Sequence, residues 1–136
     1  MGTMADLNDP LVVAFERCTL QPHEFHHREH LWVAWCYLHA LPFEHALARF
    51  TVHVQRLAAH FGAPQKYHAT ITWVYLLELD AAMREHPELG FDALLERRPE
   101  LGDKQLAARW YDADELASPA ARVRFVLPRR ARRSAA

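Results

Sequence analysis

The chain has 136 residues, 51% of them hydrophobic, with four Trp, four Gly and a net charge of −1 at neutral pH. That length and composition describe one folded domain able to bury a core without disulfide or metal staples, and they exclude a disordered chain. The small net charge excludes a global field attracting nucleic acid.

The charge is uneven, because Arg129, Arg130, Arg132 and Arg133 crowd the C-terminus. They have no aromatic partner, so residues 129–136 read as a solvated, disordered basic tail on a single helical domain over 1–128. The only cysteines, Cys18 and Cys36, form no CxxC pair and read as free thiols in a reducing cytoplasm. The first residues show no basic segment followed by an apolar one, so no signal peptide is expected. No apolar run reaches the length of a membrane span.

In chain order, Asn8-Asp9-Pro10 is a helix start, with a capping side chain before Pro at the first turn. A short helix to about Cys18 follows. Thr19-Leu20-Gln21-Pro22 turns the chain into a second helix over roughly 24–40, which Leu41-Pro42 ends. A third begins near Phe43 and carries Ala46, Leu47, Phe50, Val54, Leu57, Ala58 and Phe61 at helical spacing, with Gly62 as its C-cap. A fourth runs from about Tyr67 to His86, stopped by Pro87 and Gly90. Phe91 to Arg97 is a short amphipathic helix. Residues 99–111 read as irregular. Asp112 and Ser118 read as N-caps, and Pro119 opens a last helix to about Phe125. No stretch alternates like a strand and no repeat is present. The expected fold is all-α: a compact bundle of about four main helices, wrapped by short C-terminal ones.

The second helix carries the densest chemistry. His23, His26, His27 and His30 stand just before the run Leu31-Trp32-Val33-Ala34-Trp35-Cys36-Tyr37-Leu38. On a helix His23, His27 and His30 share a face, with His26 at its edge, and Ala34 and Leu38 continue the stripe toward the core. Imidazoles three or four residues apart have Cβ atoms about 5–6 Å apart and can converge on one metal ion. The fourth helix adds Tyr67-His68-Ala69-Thr70-Ile71-Thr72, with His68, Thr72 and Tyr75 on one face. If the two helices pack side by side, His68 completes a set with His27 and His30. Their nitrogens are then expected within about 3–4 Å of a common point, given metal–nitrogen bonds of about 2.0–2.1 Å.

Phe25-x-His27-x-x-His30 with Ala34-Trp35, Lys66-Tyr67-His68-x-Thr70-x-Thr72, and Leu116-x-Ser118-Pro119-x-Ala121-Arg122 together resemble a set of short, mostly uncharacterised bacterial helical proteins. The resemblance covers roughly residues 20–128 and implies no reaction. It singles out His27, His30 and His68 and passes over His23 and His26. The sequence departs from that pattern at Ala69, where an acid is expected; a role carried by that acid would be missing here.

Other residues have blander readings. His39, His45, His53, His60 and His86 are scattered and fit solvated or snorkelling positions. Glu24 and Glu29 read as first-turn acids complementing a helix dipole. Trp32, Trp35, Tyr37, Trp73 and Tyr75 fit the core better than a ligand box, and Asp103-Lys104 a surface salt pair rather than the cap of a pocket. Ser118 is an N-cap, not a nucleophile.

Two functions fit. One is a small cytoplasmic metalloenzyme in which His27, His30 and His68 hold Zn, Fe, Cu or Ni. A fourth position stays open for hydrolase, lyase or oxidase chemistry on a small molecule, with Tyr67, Thr70 and Thr72 orienting the substrate. The other is a non-catalytic sensor or accessory protein that binds a metal or small ligand and whose histidines are structural. Neither involves nucleic acid or a membrane; a homodimer stays open. At Ala34 a partner helix is expected to approach closely, so that Ala34→Leu overpacks the core at a cost of about 1–3 kcal/mol.

Overall fold

The computed structural model describes residues 6–131. The fold is all-α, with no strand among the described residues. Helix α1 spans Pro10–Arg17. Its cap is Asp9, whose Oδ1 accepts the backbone N–H of Leu11 at 3.0 Å and the Trp32 indole N–H at 3.0 Å. One carboxylate therefore ends one helix and ties it to the next. Cys18, in the left-handed region at φ 55°, closes α1.

Helix α2 spans His27–Ala40 and starts later than the sequence suggests. Pro22 opens a separate 3₁₀ turn over Pro22–Glu24, and His26 is extended. Glu29 then reaches back to accept the His26 N–H at 2.8 Å, the acid half of a capping box. Glu24 does the same for Gln21 at 2.7 Å. Both acids are thus helix-start residues, and His23 stands on the exposed 3₁₀ turn, off the helix of His27 and His30. Leu31 and all residues from Val33 to Tyr37 are buried on every side of α2. A helix that is apolar all round is the one enclosed by others, and α2 packs on α1, α3 and α4. Cys36 is buried there, and burial pushes its thiol up to about 12, which makes it inert.

Helix α3 spans Phe43–His60. The chain turns at Gly62, where φ is +74° and a side chain would be strained, then forms a 3₁₀ turn over Pro64–Lys66. Helix α4 spans Ala69–Glu85 and packs against α2 and α3. Helix α5 spans Phe91–Arg97. The stretch read as irregular holds two 3₁₀ turns, Pro99–Gly102 and Leu106–Arg109, which seat Leu101 and Leu106 in the core. Helices α6, Ala113–Ala117, and α7, Pro119–Val123, follow, with Ser118 Oγ accepting the Ala121 N–H at 3.2 Å. Helix α7 lies on α4, and the chain beyond it continues along α4, where Phe125 stacks on Trp73 at 5.2 Å. The C-terminal helices do wrap the bundle.

Two of the four tail arginines are anchored. Arg129 pairs with Asp112 at 3.1 Å and Asp114 at 3.0 Å, and Arg130 with Asp112 at 3.1 Å. Arg132 and Arg133 lie outside the described residues.

A second cross-helix tie joins α1, α2 and α3. The buried Tyr37 hydroxyl donates to Glu16, and Arg49 clamps the same carboxylate through Nε at 2.6 Å and Nη2 at 2.8 Å. His53 is not isolated at the surface: its Nε2 lies 3.8 Å from Glu16. Burial alone would raise the Glu16 carboxyl, but hydrogen bonds from Arg49 and Tyr37 outweigh it, and the pKa lies below its ordinary 4.5. A depressed acid stabilises the fold above its unfolded pKa and loses that contribution as pH falls through the folded value. Glu16→Ala is expected to cost about 2–3 kcal/mol at neutral pH, less than a fully buried pair because Arg49 is 38% exposed. Urea unfolding at pH 7 and at about pH 3 checks this: the gap to wild type narrows at the lower pH.

Candidate functional site

A cavity of about 670 Å³ lies where α2, α3 and α4 meet, within the range of about 300–1,000 Å³ typical of small-molecule sites. Its apolar wall comes from α3 through Phe50, Val54, Leu57 and Ala58, and from α2 through Leu31 and Ala34. The spacing of Phe50, Val54, Leu57 and Ala58 is one helical stripe. That stripe, read from sequence as core, splits between core and cavity: Phe50 and Leu57 are buried, whereas Val54 and Ala58 are only partly covered.

The polar wall holds most of the residues singled out from sequence. His27 and His30 enter from the first turn of α2, beside His26. Tyr67 and His68 enter from the start of α4, followed by Thr72 and Tyr75 one and two turns on. Thr70 is fully buried and does not line the cavity. Its hydroxyl donates to the Arg124 carbonyl at 3.0 Å and accepts the Val126 N–H at 3.3 Å, fastening the C-terminal strap to α4. Thr72 lines the cavity, but its hydroxyl donates to the His68 carbonyl at 2.8 Å. Of Trp32, Trp35, Tyr37, Trp73 and Tyr75, which the sequence assigns to the core rather than to a ligand box, only Tyr75 lines the cavity among the described residues. Its hydroxyl donates to the Asp103 carbonyl, and its ring meets His27 edge-on at 4.7 Å.

Each histidine has a distinct environment. His68 is buried and is the N-cap of α4. Its Nδ1 accepts the Ile71 N–H at 3.2 Å, and its Nε2 donates to the Leu116 carbonyl at 2.7 Å. A carbonyl can only accept, so the proton sits on Nε2 and the Nδ1 lone pair is spent on the helix end. His27 donates from Nε2 to the Leu101 carbonyl at 3.0 Å. His30 makes no side-chain hydrogen bond among the described residues; it packs on Phe25 at 4.2 Å between ring centroids. Burial, reinforced by repulsion from His27 and His26, brings its pKa down to about 4, so it is neutral at pH 7.

These partners decide the fit of a shared metal ion. A ligating imidazole offers a nitrogen lone pair and donates its other N–H to a carbonyl or carboxylate. His27 has that arrangement. His68 does not, because its lone pair already caps α4. No three His, Cys, Asp or Glu side chains among the described residues are grouped to hold a metal ion. The convergence of His27, His30 and His68 expected from spacing is therefore not the arrangement found; they share a cavity without sharing a ligand point. Ala69, where an acid was expected, is buried at the first position of α4.

Sequence reasoning missed the carbonyls that claim these histidines. Leu101 lies 74 residues from His27, and Leu116 lies 48 from His68. No short motif encodes such partners. Lys66 also lines the cavity, beside Tyr67 and His68, and nothing in its spacing marks it as a cavity residue. Comparison with protein-family models, curated proteins and solved structures finds no match. No helix among the described residues is long and apolar enough to cross a membrane.

Proposed function

We propose that this protein binds a small, largely apolar organic molecule in the cavity between α2, α3 and α4, with His27 and His68 serving the fold. The observation that carries the reading is His30. It is a neutral imidazole facing a cavity with apolar walls, and it makes no hydrogen bond among the described residues. A pocket lined mainly by apolar side chains with a few convergent polar groups is the usual form of a ligand site. An unpaired polar group in such a place gains a partner when a ligand enters, which gives orientation as well as affinity.

Ala34 provides the test. It is buried and lines the cavity, so a larger side chain there extends into free space. Ala34→Leu is now expected to cost less than about 1 kcal/mol, below the usual overpacking range. The same variant should weaken binding of the neutral apolar dye N-phenyl-1-naphthylamine by at least about tenfold, or about 1.4 kcal/mol. Fluorescence titration and thermal unfolding measure both quantities on one sample. Dye binding that survives both Ala34→Leu and Ala58→Leu unchanged would show that the dye, and by extension the ligand, sits elsewhere.

A further inference from the structure

The charge around the cavity restricts what can enter. No Asp or Glu lines it among the described residues. Its one permanently charged lining residue there is Lys66, which makes no ion pair among the described residues. Helices α2 and α4 both begin at the cavity; Glu29 offsets the positive end of α2, whereas the first turn of α4 holds no acid, so its positive end lies along the polar wall. His30 adds an unpaired N–H donor.

We propose that the ligand is an apolar molecule carrying a single carboxylate, with Lys66 as its counter-charge. This rests on the small-molecule reading above and names the class of molecule. A cationic ligand would meet the N-terminus of α4 and an ammonium with no carboxylate in the cavity lining to offset them; only the N-terminus of α2 has its own acid, Glu29. A phosphate dianion calls for more donors than the site offers. No arginine lines the wall, and the Ile71 N–H of the first turn of α4 is already taken by His68. One ammonium, with help from neutral donors, matches one negative charge.

The test is displacement of N-phenyl-1-naphthylamine by four probes with the same tail, each below its micelle concentration. They are decanoate, decanol, decyltrimethylammonium and decyl phosphate. The variants are Lys66→Met and, as a control, Lys104→Met, an exposed lysine outside the cavity. Decanoate should bind wild type at least about threefold tighter than the other three, the scale of an ion pair with Lys66 at the exposed mouth of the cavity. Lys66→Met should bring decanoate to the level of decanol and leave decanol itself unchanged, while Lys104→Met keeps the preference. Equal or tighter binding of decanol, the ammonium or the phosphate would overturn the carboxylate assignment and leave the small-molecule reading standing. So would a carboxylate preference that persists in Lys66→Met. Failure of the dye to bind wild type at all would overturn the reading beneath it.

Discussion

Replacing His68 with Ala is expected to lower unfolding stability by about 3–4 kcal/mol. Losing the cap costs about 1 kcal/mol. Leaving the partly buried Leu116 carbonyl without its partner adds about 1–3 kcal/mol. The void left by a buried ring adds to both. The loss should be the same with and without a chelator, because the two bonds that disappear are to the protein. His68→Asn should recover about 1 kcal/mol, since Asn is a strong N-cap, but it cannot reach Leu116 in the same way. Urea unfolding of the three proteins, with and without chelator, measures this. A His68→Ala deficit that vanishes when metal is removed would instead make His68 a metal ligand.

The second large effect is a pH dependence set by His30. Unfolded, its imidazole takes up a proton near its ordinary 6.5; folded, burial holds the proton off until about 4. Between those values the unfolded chain binds more protons, so stability rises with pH. The contribution is complete above about pH 6.5 and is lost as pH falls to about 4. Two and a half units correspond to about 3 kcal/mol across that window. His30→Phe removes the group that titrates, so its stability should change less with pH than that of wild type over the same range. The Glu16 contribution, which fades only below about 4.5, is common to both and cancels in the comparison. Denaturation midpoints at several values between about pH 4 and pH 7 give the difference directly. Parallel curves for the two proteins would mean that His30 is hydrated and titrates normally.

Much of the architecture was legible because its signals are local. Asp9-Pro10 and Ser118-Pro119 mark helix starts, and both act as such in the fold. Leu41-Pro42 and Gly62 end helices where the sequence places the stops. The start of α2 was misplaced because histidine is not an obvious N-cap residue, and the decisive group is the Glu29 carboxylate returning to His26. The gathering of His27, His30, Tyr67, His68 and Thr72 around one cavity was also legible, from two helix faces expected to pack together. What each side chain does there was not. Thr70 is expected from its motif to orient a substrate, yet it bonds to residues more than fifty positions away along the C-terminal chain. His68 is claimed by Leu116 from α6. Spacing shows which residues share a face; it does not show which distant carbonyl arrives to take a lone proton. The apolar wall was hidden for a related reason, since a stripe facing a cavity and a stripe facing a packed core have the same period.

Imidazole nitrogen NMR, read during separate titrations with zinc and with decanoate, tests the central claim most directly. The claim is that the histidines of the cavity are divided between holding the fold and meeting an organic ligand. At pH 7, His68 should show a protonated Nε2 and a hydrogen-bonded Nδ1, unmoved by either titrant. His30 should be neutral and should shift as decanoate binds. Zinc that moves the signals of His27, His30 and His68 together, at one ion per chain, would contradict the account.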